Sequence, residues 1–326
     1  MCGVNGYTYL IMDLSTQVGP FRFKNPVILA SGTYGYGPAR IISSRTRLTG
    51  CPVGQVSRLG GFITKTITLK ERTGNIPPRI VETASGIINS VGLENPGIEG
   101  FCRNYLKDID ELKTIRIISI GGATSDEIVE TIQVLQKHEY KIFDGIEINI
   151  SCPNIEKGGL CIAQSPRETK KTVQKVRRIS RLPIIVKLSP NVTDITAIAR
   201  AALSAGTDVI SLINTISSLA VNWRKRKLML GGFTGGLSGP AIKPVALKMI
   251  YEVATKTKAE IIGIGGIMNA EDVLEFLSVG AKAVQVGTLN LVDPFATFNI
   301  PKELKGIMVK ERAGSIKNFI STHRVY

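Results

Sequence analysis

The chain has 326 residues, of which 43% are hydrophobic and 21% charged, the composition of an ordinary globular protein with room for a large core. No apolar run approaches the ~18–20 residues of a membrane span, and residues 1–19 have no basic region ahead of the short Tyr9–Met12 patch. Neither a membrane anchor nor a signal peptide is therefore expected. Five scattered cysteines without a C-x-x-C pair argue against a disulfide framework, and against a zinc or iron–sulfur site built by this chain alone; they suit a reducing cytosol. The net charge of +15 admits anionic ligands or an acidic partner. Its densest runs, Arg40–Arg58 and Arg224–Lys227, lack the interleaved aromatics of a single-strand nucleic-acid groove, so no nucleic acid is expected.

Eight apolar, β-branched segments recur along the chain: Asn25–Ser31, Gly61–Ile67, Ile115–Ile120, Gly145–Ile150, Pro183–Leu188, Asp208–Asn214, Glu260–Ile264 and Ala281–Gly287. Most are bounded by Gly, Pro or Asn, and most read as nearly continuous hydrophobic runs, the pattern of strands buried on both faces. Helical spacing of apolar residues follows in Ser125–His138, Thr169–Ser180, Asp194–Ala205, Ala241–Thr255 and Ala270–Val279, the last with Asn269 as its N-cap. Strands alternating with helices predict an α/β fold, a (β/α)8 TIM barrel in a single domain over residues 1–326, with its core at about 13–296. Two connections break the rhythm: residues 32–60 are read as mostly irregular, and 70–101 as a long, turn-rich loop of the kind that serves as a lid or binding loop. The basic tail, 301–326, is read as helical at most in part.

In such a barrel the chemistry sits at the C-terminal ends of the strands. Those ends supply Ser31, Lys65, Thr66, Ser119, Asn149, Cys152, Asn154, Lys187, Asn214, Thr215, Gly265, Gly266, Gly287 and Thr288. The set holds two lysines, amides, hydroxyls, a thiol and two glycine-bearing turns, with no carboxylate. The turns after strands 7 and 8 stand where barrels bind phosphate, because glycine lets backbone N–H groups approach the anion. A third glycine-rich loop, Gly235–Pro240, is expected on the same face. A phosphate site without metal-ligand spacing suggests a phosphorylated cofactor rather than hydrolysis. The two histidines, His138 and His323, lie away from the strand ends, which leaves Cys152 as the proton handler; lysines and backbone dipoles can lower a thiol's pKa toward neutrality.

These residues resemble the dihydroorotate dehydrogenases, in particular the class 1B catalytic subunit. The similarity runs from about Asp13 to Ala296. It rests on the stretches that begin at Asn25 (NPVILASG), Thr64 (TKTITL), Gly74 (GNIPPRIVET), Asn89 (NSVGLENPG), Asn149 (NISCPN), Val186 (VKLSPN) and Thr234 (TGGLSGPAIKP). The resemblance implies FMN in the barrel mouth and oxidation of dihydroorotate to orotate in pyrimidine synthesis. Cys152 is then the base that takes the C5 proton while hydride leaves C6 for the flavin. Lys65, Asn89, Ser90, Val91, Gly92, Leu93, Asn149, Asn214 and Thr215 hold the substrate. Ser31, Lys65, Thr66, Ser119, Asn149, Lys187, Ile213, Gly239, Gly265, Gly266, Gly287 and Thr288 hold FMN, and no residue binds a metal. Class 1B further implies a homodimer of this chain joined to a subunit carrying FAD and a [2Fe–2S] cluster, a heterotetramer that passes electrons to NAD in the cytoplasm. The alternatives are a class 1A-type homodimer using fumarate, or a related dihydropyrimidine dehydrogenase.

The chain departs from the family pattern in four places. Ser119 stands where the family usually has Asn on the FMN, Arg40–Arg58 replaces an acidic and apolar helix, Trp223–Leu230 is unusually basic, and the tail after Pro301 looks unrelated.

Overall fold

The computed structural model describes residues 12–36, 53–138, 140–151 and 162–326. All eight expected strands are present, as Val27–Leu29, Gly61–Ile63, Ile115–Gly121, Gly145–Asn149, Ile184–Leu188, Val209–Leu212, Ile261–Ile264 and Ala283–Val286. Each pairs in parallel with its neighbours in chain order, and the last closes on the first through Val284 opposite Val27, giving a closed (β/α)8 barrel.

Two separate apolar clusters explain why the strand sequences are continuous hydrophobic runs. Inside the barrel, Ile28, Ile63, Ile117, Ile185, Val209, Ile262 and Ala283 pack on Val18, Phe21 and Phe23. The last three belong to an N-terminal hairpin, Thr16–Val18 with Phe21–Phe23, whose alternating burial turns both phenylalanines into the barrel floor. Outside, the opposite faces of the same strands (Leu29, Ile118, Ile146, Ile148, Val186, Ile210) meet the helices. The helices lie close to where apolar spacing places them: Ser125–Leu135, Pro166–Ile179, Ile195–Ser204, Lys243–Lys256 and Ala270–Ser278. Their starts are fixed by side-chain caps at Thr124, Ser165, Asp194 and Asn269, each accepting from a backbone N–H of the first turn.

The stretch 70–101, expected as a long, turn-rich loop, holds more regular structure than that. It carries strands Glu71–Arg72, Ile80–Thr83, Gly86–Asn89 and Asn95–Pro96 and opens helix Gly97–Asp110, which buries Ile98, Phe101, Leu106 and Ile109. The glycine-rich 235–239 segment is likewise no loop: Thr234–Ser238 is a strand, and of its glycines Gly239 alone turns with a positive φ. Thr234–Ser238 pairs with Gly86–Asn89 on one side and Ile216–Leu219 on the other; with Ile80–Thr83 these make a four-stranded antiparallel cap. The excursions after the second and sixth barrel strands are thereby joined into one sheet. The basic run 40–58 lies largely outside the described residues.

The tail is helical in part, as expected, but it belongs to the core instead of lying beyond it. Ile300–Lys310 and Ile316–Thr322 are helices that bury Ile300, Leu304, Met308, Ile316 and Phe319 in the outer core. Ile316 N–H donates to Asp13 O at 3.0 Å, tying the tail to the start of the described chain. Ile316→Ala is expected to destabilise the protein by about 2–5 kcal/mol, read as a lower midpoint of chemical unfolding. The exposed Lys317→Ala should change it little, and equal midpoints for the two variants would contradict this packing.

Candidate active site

The C-terminal mouth of the barrel is lined by a continuous polar chain. Ser31 Oγ lies 3.3 Å from Thr66 Oγ1, which contacts Ser119 Oγ at 2.9 Å and accepts from Asn149 Nδ2 at 3.1 Å. Asn149 is opposite Lys187 in the ladder, and Lys187 opposite Ser211, so the polar positions run across the first six strands. Ser119 is wholly buried; its hydroxyl holds Thr66, and its N–H donates to Thr64 Oγ1 at 3.0 Å.

Lys187 is the unusual member. Its side chain is buried, and among the described residues it has no carboxylate or hydrogen-bond partner. A buried cation without a partner is costly unless a ligand supplies one. Below the mouth sits a carboxylate that the reading of strand ends overlooked. Glu147, fully buried, accepts from Ser211 Oγ at 3.0 Å and Gln285 Nε2 at 2.7 Å through one oxygen. Its other oxygen has no protein partner among the described residues. The signal was available: Glu147 and Asn149 share the inward parity of one strand.

On the opposite side of the mouth the glycines come together. A Cβ on Gly266 (φ +80°) would lie 2.8 Å from Gly239 O and 2.8 Å from Lys243 Cβ, and one on Gly239 would meet Gly86 Cα at 2.8 Å. Thr288 Oγ1 donates to Ser238 Oγ at 2.8 Å, drawing the turn after the eighth strand to the cap. In the helix after strand 7 Asp272 N–H donates to the capping Asn269 Oδ1, and ahead of that helix Met268 N–H donates to Asp272 Oδ2. Among the described residues the N–H groups of Gly266 and Ile267 make no hydrogen bond, so glycine backbone is open to an anion at this corner. Ile213 lines the same corner, 3.4 Å from a Cβ placed on Gly265.

The cap closes over this floor. Asn89 Nδ2 donates to Gly236 O at 3.2 Å, and a Cβ on Gly236 would overlap Thr215 Oγ1, so Asn89, Gly236 and Thr215 converge. Asn214 N–H donates to Leu188 O, and its side chain accepts from Thr215 N–H at 2.8 Å. Ser90 Oγ accepts from Asn75 Nδ2 at 2.9 Å, and the Val91–Leu93 turn takes positive φ at Gly92 and Leu93. A cavity of 1110 Å³ extends from Lys65 and Tyr36 past Ser85–Gly86 to Thr288 and Asn290. That is ample for a cofactor-sized ligand.

Lys65 faces this cavity. Its N–H is fixed by Gly35 O at 2.7 Å, and its ammonium lies 3.8 Å from Glu94 and 5.7 Å from the centre of the Tyr36 ring. Burial pulls its pKa below the ordinary lysine value, Glu94 opposes that pull, and Arg79 adds to it. Burial pushes the Tyr36 phenol well up, so it stays protonated and donates to Glu94 O at 3.1 Å. Cys152 lies outside the described residues, as does Asn154. The flanks of that segment are at the mouth: Ser151 N–H donates to Asn149 Oδ1 at 3.2 Å, and Ala163 N–H to Ile150 O at 3.1 Å. The one cysteine among the described residues, Cys102, is buried in helix Gly97–Asp110 with its thiol pushed up to about 12, which removes it as a base. Among the described residues no cluster of His, Cys, Asp and Glu could hold a metal ion, and no helix is long and apolar enough to cross a membrane.

Comparison with known proteins gives a consistent set. The family model described as dihydroorotate dehydrogenase matches residues 13–308. A protein of Caldicellulosiruptor bescii named dihydroorotate dehydrogenase B (NAD(+)), catalytic subunit, is 42% identical over 95% of this chain and 99% of its own length. Proteins of the same name from Bacteroides thetaiotaomicron (39% identical over 96% of this chain and 99% of their own) and Geotalea daltonii (41%, 96% and 99%) are similar over the same span.

An anionic ligand held by Lys65 should bind with an affinity that falls on the alkaline side below pH 10.5, the ordinary lysine value, because the depressed ammonium loses its proton early. Lys65→Arg keeps its charge past pH ~12 and should postpone that fall. Coincident alkaline limbs for the two proteins, measured by titration calorimetry, would exclude Lys65 from the contact.

Proposed function

The chain belongs to the dihydroorotate dehydrogenase family, an oxidoreductase family for which a flavin is the implied cofactor, and we propose that it oxidises (S)-dihydroorotate to orotate with FMN in the barrel mouth. The observation that carries this reading is the buried Lys187, without a partner among the described residues, beside the polar chain Ser31–Thr66–Asn149, at a mouth that also holds a glycine corner that side chains would fill.

Those residues fit a phosphorylated flavin. Gly239, Gly265, Gly266, Gly287 and Thr288 would receive the phosphate, and Ser31, Thr66, Asn149 and Ile213 the ring, with Ser119 holding Thr66 in place. Lys187 would lie against the part of the ring where negative charge develops, which a fixed cation in a dry site stabilises strongly. When bound, FMN supplies the two-electron acceptor. Every other function falls to the chain. Lys65 would take the substrate carboxylate, and the amides of Asn89, Asn149 and Asn214 with Thr215 would read the edge of a planar pyrimidine. Ser90, Val91, Gly92 and Leu93 would contribute the cap side of the pocket, and the paired strands 86–89 and 234–238 would keep water out. Cys152 would take the C5 proton as general base, and the lysines of the same strand-end set would favour its thiolate.

We further propose that electrons leave for NAD through a second subunit carrying FAD and a [2Fe–2S] cluster, in a cytoplasmic assembly of two copies of each chain. Support comes from the similar proteins, whose name contains both NAD(+) and "catalytic subunit". We treat residues 1–326 as one domain, a reading that the bonds between Asp13 and the 314–316 segment support.

Replacing Cys152 by Ala is expected to leave FMN bound and lower turnover by about 10²–10⁴-fold, measured as orotate formed with an artificial electron acceptor. Turnover at the wild-type rate would remove Cys152 from the role of base.

A further inference from the structure

The Lys65 corner contains a second charged group that neither the strand-end pattern nor the resemblance assigned. Glu94 follows the Asn89–Leu93 turn directly. One of its oxygens, Oε2, lies 2.9 Å from Arg79 Nη1 and 3.8 Å from Lys65 Nζ, so a single carboxylate oxygen is shared between two cations. Its position is set from several sides. Tyr36 O–H donates to Glu94 O, and Leu93 precedes it with φ +53°. Arg79 is itself anchored, donating to Asn75 O at 2.5 Å and Thr73 O at 2.8 Å.

The same Lys65 ammonium is the group that an anionic pyrimidine would seek. We infer that Glu94 is a specificity-determining residue of the substrate pocket, an internal anion that Arg79 holds against Lys65 and that competes with the carboxylate of the ligand. This inference rests on the assignment of dihydroorotate as substrate. The physical consequence has a definite sign. A ligand carboxylate arriving at Lys65 meets a cation already partly neutralised and a like charge close by, so binding is weaker than Lys65 alone would make it. Arg79 gives Glu94 somewhere to stay: its shorter contact keeps the carboxylate paired after Lys65 turns to the ligand. The arrangement favours release of a charged product over its retention. It also discriminates against ligands with more negative charge at this end, because each added charge is repelled by Glu94 while Lys65 remains one cation.

The test is the dissociation constant of orotate for the flavin-loaded full-length protein, measured by titration calorimetry for wild type, Glu94→Gln and Glu130→Gln. Glu130 lies exposed on the outer helix Ser125–Leu135 and pairs with no cation among the described residues, so its variant removes the same charge away from the cavity. Glu94→Gln is expected to tighten orotate by roughly two- to fivefold, the scale of a partly exposed ion pair, with Glu130→Gln within error of wild type. Unchanged or weaker binding by Glu94→Gln would overturn the inference, as would equal tightening by both variants, which would mark a general charge effect. Wild-type protein that binds no orotate would instead overturn the substrate assignment, and this inference with it.

Discussion

The site depends on closure of the barrel, the pairing of Ala283–Val286 with Val27–Leu29. That contact joins segments from opposite ends of the chain and brings the turn after the last strand beside Ser31 and Thr33. Asn290 Nδ2 then reaches Thr33 Oγ1 at 3.0 Å, 257 residues away in sequence. The apolar plug of Phe21, Phe23 and the inward isoleucines fills the lower barrel, so polar groups can only gather at the opposite end. Polar residues there need partners, and they find them in one another: Ser31, Thr66, Ser119 and Asn149 at one side, Glu147 with Ser211 and Gln285 beneath. Lys187 alone of this set has no side-chain partner among the described residues.

The cap is the second constraint. Joining Gly86–Asn89 to Thr234–Ser238 fixes the two longest excursions relative to each other and sets Asn89 against Gly236 and Thr215. The glycines of that strand serve close approach as much as phosphate binding. Gly235 and Gly236 sit where a side chain would strike Asn89 O or Thr215, and Gly239 turns beneath the neighbouring Gly86. The barrel floor and the paired roof together enclose a pocket of mixed charge: Lys65 lines it with Glu82 and Asp108, Lys187 lies buried in the floor, and Glu94 and Arg79 flank Lys65.

The barrel was legible because strands buried on both faces cannot carry polar residues freely, and eight such runs stand out against amphipathic helices. Caps such as Asn269 were legible for a local reason, a side chain one turn from the N–H that it accepts. The cap sheet was not. Ile80–Thr83 and Thr234–Ser238 are mostly exposed or half-buried and do not alternate cleanly, and their pairing is specified by contacts far apart in sequence. The tail helix hid its stripe, Ile300, Leu304 and Met308, behind a run of lysines. Glu147 escaped because it lies two residues inside a strand end, and Glu94 because its role appears only when the 89–94 turn meets Lys65. Cys152, read from sequence as the base, lies outside the described residues, so its role rests on the resemblance and on its place in the sequence just after the fourth barrel strand.

The central claim is that this chain alone carries the oxidising half of the reaction. Its most direct test is anaerobic mixing of the FMN-loaded chain with one equivalent of dihydroorotate, without NAD or any other subunit, while following flavin absorbance near ~450 nm. The account predicts rapid bleaching with one orotate formed per flavin. Bound flavin that stays oxidised in the presence of dihydroorotate would contradict it.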